Sequence, residues 1–482
     1  MLGVAHVLGL LLAIFGAAYV LPVGCSIIMG DGLWPQFLAA AAISSGVGVA
    51  IALATLKYRR ELKPRDGFLL VTLVWVLMSA SASVPLLLAL PELSFTRAFF
   101  ETMSGLTTTG STVLTGLDHL PRSLIFWRSC LHWFGGLGII VMALAVLPLL
   151  GVGGMQLYKA EAPGPIKDEK LAPRITETAK SLWMVYGTLT AAAIFSLRIC
   201  GMSWFDAICH AFSVVGLGGF STHDASIAWF KSPAIELVLI LLMFVASLNF
   251  ARHFIALRRL SLQTYTRDPE GRSIFALLSV SVVGIAILLT WHGIYPSFWT
   301  SLRHSAFNVV SIATTTGFVT QDYSTWPAFA PIWMLFLSCI VCSTGSTGGG
   351  IKMFRTLLLA RQAGRELKLL VHPSAMASVR IGGRVIPDRV ADAVLGFIFL
   401  YFMTVALLTF ALLLSGLDFD SAFSAIVASI NNTAHGLGTV GPVRNYHSLT
   451  DFQTWVCTVA MLLGRLEIFS VIVLFTPAFW RK

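Results

Sequence analysis

The chain has 482 residues, 56% hydrophobic and only 12% charged, with a formal net charge of +10 and a mean hydropathy of +0.81. Soluble domains carry about twice that charged fraction, so the composition excludes a soluble globular fold and implies an all-α polytopic membrane protein. The excess of cations is not a nucleic-acid footprint: 25 of the 33 Lys and Arg residues fall in the stretches 57–65, 159–180, 252–272, 352–389 and 481–482, which the positive-inside rule assigns to the cytoplasm.

A membrane span takes about 20 apolar residues. Residues 4–23 and 35–56 fit, and no Lys or Arg precedes Lys57, so the first is expected to be a retained span rather than a cleaved signal. Residues 68–90 form a third span. The next stretch, 94–109, is too short and too polar to cross twice and reads as a half-length re-entrant helix with a return loop; 126–150 is the span that follows. The same unit recurs at 182–199, 203–219 and 234–257, at 274–291, 297–317 and 331–341, and at 391–414, 418–434 and 452–479. Basic stretches separate the units, so all share one orientation. Parallel repeats suggest a pseudo-fourfold pore, whereas inverted repeats would suggest an alternating-access transporter. The expected organisation is a two-helix extension, 1–66, then repeats 67–158, 159–272, 273–390 (its second span broken) and 391–482.

The repeat persists at finer scale. Each re-entrant helix opens with a favoured N-cap residue before an aromatic: Ser94-Phe95, Ser203-Trp204, Ser297-Phe298 and Asp418-Phe419. Ser94 to Gly110, Ser203 to Gly219 and Asp418 to Ala434 are each 16 residues; Ser297 to Gly317 is 20. After the loop, units two and three share Phe220, Thr222, Asp224 and Phe318, Thr320, Asp322, and unit one has Asp118 nearby.

Each unit therefore carries one short polar loop after its re-entrant helix. The candidate site residues are Thr108, Thr109 and Gly110; Gly218 and Gly219; Thr315, Thr316 and Gly317; and Asn432, Thr433 and Ala434. In lipid, non-helical backbone is tolerated only where it is buried in protein or lines a water-filled path. A dehydrated monovalent cation needs several oxygen ligands, and rings of backbone carbonyls supply them without fixed charge, so the ion can leave again. Gly gives the backbone freedom to turn its carbonyls inward, and each re-entrant helix would aim its partly negative C-terminus at the axis. The expectation is an ion-selectivity filter, with Asp118, Asp224 and Asp322 at its outer mouth. The alternative, a helix-ending turn in each case, explains one loop more readily than four.

Two further features stand out. The run 343–350, with Gly345, Gly348, Gly349 and Gly350 ahead of Lys352, interrupts the second span of unit three, where the other units continue apolar. Residues 331–341 are too short to cross alone, so this run is expected to be an intramembrane gating loop below the filter rather than a plain cytoplasmic loop. Arg465 and Glu467 fall inside the last span, where ionisable groups are expensive and usually functional; Arg465 would restrain cations near the axis, unless the two merely pair with each other or with a carbonyl. Cys339 and Cys342 form a lone CxxC on an apolar segment and read as core packing. His132, His210, His292 and His304 read as interfacial or core residues, and His435 falls within the fourth loop.

These stretches, namely 107–110, 218–224, 314–318, 431–438, 343–352 and 464–467, resemble the Trk/Ktr/HKT superfamily of potassium transporters over nearly the whole chain. The resemblance implies K+ as the ion, two extra N-terminal helices before four pore repeats, and a homodimer with one pore per protomer. It implies filter glycines at Gly110, Gly219 and Gly317, an intramembrane gating loop after Ser343, and a pore-facing Arg465. It also implies a cytosolic TrkA-like nucleotide-binding regulatory ring docked on the basic inner face. One departure bears on K+ over Na+ selectivity: where relatives read Asn-Asn-Leu-Gly-Pro-Gly, this chain reads Asn431-Asn432-Thr433-Ala434-His435-Gly436. A Na+- or H+-coupled symporter is the competing expectation; it would call for intramembrane acids, of which Glu467 is the clear case. No paired catalytic constellation suggests an enzyme.

Overall fold

The computed structural model describes residues 2–60, 62–138 and 175–481. Most of the basic stretch 159–180 and the end of the expected span 126–150 lie outside the described residues. The chain opens with Leu2–Phe15, a tighter turn Gly16–Tyr19 and Val20–Met29, which together make one apolar span against Trp34–Ala54. Ser44 and Ser45 donate to the carbonyls of Leu12 and Ala13 at 3.1 and 3.3 Å.

From there one pattern recurs four times. The long helices Pro64–Ala89, Ile175–Ile199, Pro269–Trp291 and Asp388–Leu414 each lead into a short helix: Phe95–Leu106, Trp204–Gly216, Phe298–Ala313 and Phe419–Asn431. These have 12, 13, 16 and 13 residues, so at about 1.5 Å per residue none spans a ~30 Å hydrocarbon core. All four are capped as expected: Ser94, Ser203, Ser297 and Asp418 accept from Arg97, Asp206, Trp299 and Ser421 amides at 3.4, 3.0, 3.2 and 3.0 Å. The third short helix takes in Ala313, so the loop begins at Thr314. Six described helices are long and apolar enough to cross a membrane, or eight if two bent pairs each count as one span.

The second helices differ from expectation. Residues 234–257 are not one span: Pro233–Ala246 and Phe250–Arg259 meet at 98°. Residues 452–479 are likewise broken, Asp451–Arg465 turning by 111° into Ile468–Phe475. In unit one, a widened turn at Phe134–Gly138 follows Arg122–Trp133. Interruption is therefore not special to unit three: units two and four are broken as well. The cause is crowding beneath the short helices. A Cβ on Gly135 would collide with the Leu106 carbonyl and one on Gly464 with the Ile430 carbonyl. Asn249 restarts its helix by accepting from the Ala251 amide at 2.8 Å.

Among the described residues the only strands form a short antiparallel hairpin, Arg380–Ile381 against Arg384–Val385.

Candidate functional site

The four short helices end in one way. The amides of Thr109, Gly218, Thr316 and Thr433 donate to the carbonyls of Ser104, Ser213, Ser311 and Ala428 at 2.8, 2.9, 2.8 and 2.8 Å. This is the bond pattern of a helix closed by a left-handed residue. Here that residue is Thr108, Leu217, Thr315 or Asn432, at φ +54°, +54°, +59° and +56°. Two positions later the chain is left-handed again, at Gly110, Gly219, Gly317 and Ala434, with φ +83°, +81°, +87° and +37°. Sequence reasoning assigned the unusual backbone to Gly alone and missed Thr108, Leu217, Thr315 and Asn432; neither leucine nor a β-branched threonine gives a hint of it. Thr107 and Thr314 reach back to the Met103 and Val310 carbonyls, both at 2.7 Å, and touch Thr109 and Thr316 hydroxyls at 2.8 Å.

The loops then meet in cyclic order. A Cβ on Gly110 would strike the Gly218 carbonyl oxygen, one on Gly219 the Thr316 carbonyl oxygen, and one on Gly317 the methyl of Ala434. The Ala434 amide closes the ring by donating to the Thr109 carbonyl at 2.5 Å. Ser111 donates to the Ala434 carbonyl at 2.7 Å, and Asn432 Nδ2 to Thr109 Oγ1 at 2.9 Å. All eleven candidate loop residues thus lie in one buried cluster drawn from four distant parts of the chain.

Each returning segment is tied to its own short helix. Glu101 accepts from the Thr112 hydroxyl and the Val113 amide, both at 2.9 Å. His210 meets Ser221 at 2.9 Å, Asp206 accepts from Thr222 at 2.7 Å, and Asn308 Nδ2 donates to Thr320 at 3.0 Å. Ser424 accepts from the Leu437 amide at 2.7 Å. In an exposed part of the returning segments Asp118 contacts His223 and accepts from the Asp224 amide at 3.3 Å. Partial burial opposes ionisation of Asp118, but these bonds outweigh it and hold the carboxyl below the usual range. Asp322 instead caps the turn at Tyr323–Thr325.

The glycine run packs directly against the same loops. The Gly349 amide donates to Thr315 Oγ1 at 3.0 Å, and Thr347 donates to the Val215 carbonyl at 3.1 Å. A Cβ on Gly349 would collide with the Asn431 carbonyl, one on Gly350 would crowd those of Ser338 and Cys339 at 2.6 and 2.7 Å, and one on Gly348 would run into Cys342. Gly345 is left-handed and accepts from the Phe250 amide at 3.1 Å. Lys352, itself buried, donates to the Gly348 carbonyl at 2.6 Å. Arg465 completes the assembly: it donates to Thr347 O at 2.8 Å, Thr108 Oγ1 at 3.2 Å, and the Gly135 and Gly136 carbonyls at 2.5 and 2.7 Å. Glu467 is not its partner; that carboxylate pairs with Arg355 at 2.8 Å.

Other buried acids were missed. Glu101, 1% exposed, pairs with Arg128 at 2.7 Å, and Glu236 pairs with Arg303 at 2.7 Å; Glu467 is not the sole acid within the apolar units. The Arg128 guanidinium sits 4.0 Å from the Phe220 ring, and His132 stacks on the same ring at 4.1 Å while bonding Ser213 at 3.0 Å. The signal available was Glu101 and Arg128 themselves, charges inside otherwise apolar stretches. Cys339 and Cys342 pack as expected, and no cluster of metal-binding side chains occurs among the described residues.

A family model described as TrkH, cation transport protein, matches residues 35–482. The chain is 46% identical to the Trk system potassium uptake protein TrkH of Halomonas elongata and 43% identical to that of Escherichia coli K12, with 99% of each chain covered in both comparisons. Its fold matches the crystal structure of the potassium transporter TrkH from Vibrio parahaemolyticus with a TM-score of 0.90 at 41% identity, covering 100% of this chain and 99% of that one. The chain belongs to the TrkH family of cation transport proteins: it is a multi-pass protein of the bacterial cytoplasmic membrane and a transporter rather than an enzyme.

Proposed function

We propose that this chain takes up potassium through a gated pore whose filter is the ring of four loops. The observation that carries the reading is the cyclic contact of Gly110, Gly218–Gly219, Thr316–Gly317 and Ala434. Four helix ends converge there, each leaving carbonyls without intrahelical partners, so a passing K+ or Rb+ exchanges its water for uncharged oxygens. Thr108, Thr109, Thr315, Asn432 and Thr433 complete the loops. Segments 67–158, 159–272, 273–390 and 391–482 each supply a quarter of the pore, behind the extension 1–66. The names of the relatives, potassium uptake proteins, support K+ as the ion.

In this reading the glycine run Gly345 to Gly350, with Lys352, is the gate, and Arg465 is its latch through the Thr347 carbonyl. The working unit is a homodimer, regulated by a TrkA-like nucleotide-binding ring on the basic inner face. Purified protein in liposomes should pass K+ and Rb+ in preference to Na+; equal passage of all three would remove the filter. A Na+- or H+-coupled symporter is the second reading, prompted by buried Glu101 and Glu236. Both acids are already neutralised by arginines, so Rb+ flux should not follow a Na+ or pH gradient.

A further inference from the structure

We infer that anionic phospholipids of the inner leaflet bind along the bent helix Phe250–Arg259 and the segment that follows it to Arg267, and that this contact draws the Gly345 end of the glycine run away from the filter. The second half of the inference rests on the gate reading above; the first half does not.

The geometry starts from the 98° bend after Ala246. Arg252 pairs with Asp268 at 3.3 Å, and Asp268 caps the full-length span Pro269–Trp291 by accepting from the Gly271 amide at 3.2 Å. The bent helix therefore leaves its span at the depth where a neighbouring span begins, which is the membrane surface. Its inward face is Phe250, His253 and Ala256, all buried, with His253 held between the Tyr265 hydroxyl at 2.8 Å and the Val245 carbonyl at 3.0 Å.

The outward face mixes two chemistries. Leu257, Leu260 and Leu262 are 53%, 91% and 77% exposed. Arg258, Arg259 and Arg267 lie among or just beyond them, and none of the three forms an ion pair among the described residues. Exposed leucines beside arginines, on a helix lying across the membrane edge, suit the boundary between acyl chains and headgroups. There the guanidinium forks match phosphate oxygens, and the negative inner-leaflet potential favours each added cation. A neutral headgroup would leave three cations uncompensated.

The same helix carries the glycine run. The Phe250 amide donates to the Gly345 carbonyl at 3.1 Å, and Asn249 Nδ2 to the Thr344 carbonyl at 2.6 Å. Just ahead of both, the Ser343 amide donates to the Ser247 carbonyl at 3.0 Å. A headgroup that pulls Phe250–Arg259 onto the leaflet therefore pulls on Thr344 and Gly345 through these bonds.

Two readouts on the full-length purified protein separate the halves. In native mass spectrometry the parent should retain phosphatidylglycerol over phosphatidylcholine, and R258Q/R259Q/R267Q should lose about tenfold of that preference. In vesicles, Rb+ flux should rise with the phosphatidylglycerol fraction for the parent, stay flat for the triple variant, and stay flat for Asn249→Ala although that variant still retains the lipid. Equal lipid retention by parent and triple variant overturns the binding site. An unchanged lipid dependence in Asn249→Ala overturns the linkage. If the triple variant keeps its lipid response and loses only its response to an added nucleotide-binding ring, the arginines serve a protein and the inference fails. Retained lipid with no flux from any sample would sink the transport reading and leave lipid binding standing.

Discussion

Loops three and four close their helices with the same bond at the same length, Thr316 to Ser311 and Thr433 to Ala428 at 2.8 Å, yet differ at the next residue. Gly317 sits at φ +87°, whereas Ala434 is held at +37°. A left-handed alanine costs about 1–2 kcal/mol, so something outside loop four must impose it. That support comes from loop one: the Thr109 carbonyl takes the Ala434 amide, Ser111 holds the Ala434 carbonyl, and Asn432 bonds both Thr109 Oγ1 and the Met461 carbonyl at 3.1 Å. Loop three leans less on others, because glycine adopts its backbone freely. The two also share space, since the Ala434 methyl occupies the volume that a side chain on Gly317 would need. One methyl fits between these loops, and two do not.

The largest expected effect comes from removing the support on which loop four depends. Glu101→Ala would leave Arg128 buried and unpaired behind loop one, a loss of about 3–5 kcal/mol. Thermal unfolding of the detergent-purified protein should show it, and an unchanged midpoint would mean that loop one does not need the pair. Next is Gly317→Ala, which puts the second methyl into the shared space. K+ uptake in a deficient host should fall by about tenfold or more, equivalent to some 1.4 kcal/mol, at unchanged expression. Adding Ala434→Gly to that variant should restore part of the flux; no restoration would mean the shared volume is not what limits it. Arg465→Ala frees the Thr347 carbonyl and should raise basal Rb+ flux severalfold at normal expression, and a fall would remove the latch. The smallest effect is expected from Ala434→Gly alone: uptake persists, stability changes by less than about 1 kcal/mol because relief of strain is offset by added chain freedom, and K+ over Na+ preference rises about twofold.

Much of this arrangement was legible before any coordinates. Ser94, Ser203, Ser297 and Asp418 announce the four short helices because capping is a local interaction that one residue can specify. The short polar loops located Gly110, Gly219, Gly317 and Ala434, and three of the four lie 16 residues after their cap. The breaks at Ser247–Asn249 and Leu466–Glu467 were not legible, since the surrounding apolar residues carry a hydropathy window straight across them. Nor was the change of partner at Glu467, because Arg355 lies 112 residues away.

The sequence by itself determined the class and the recurrence of one helical unit. These follow from burial of apolar side chains in lipid and from charge placement, both summed over many residues. Tertiary structure alone decided that Thr108, Leu217, Thr315 and Ala434 take a backbone their side chains disfavour, and that Arg465 reaches Thr347 rather than Glu467. Those outcomes depend on carbonyls and amides brought together from distant repeats, and main-chain groups look the same in every residue until the fold sets them face to face.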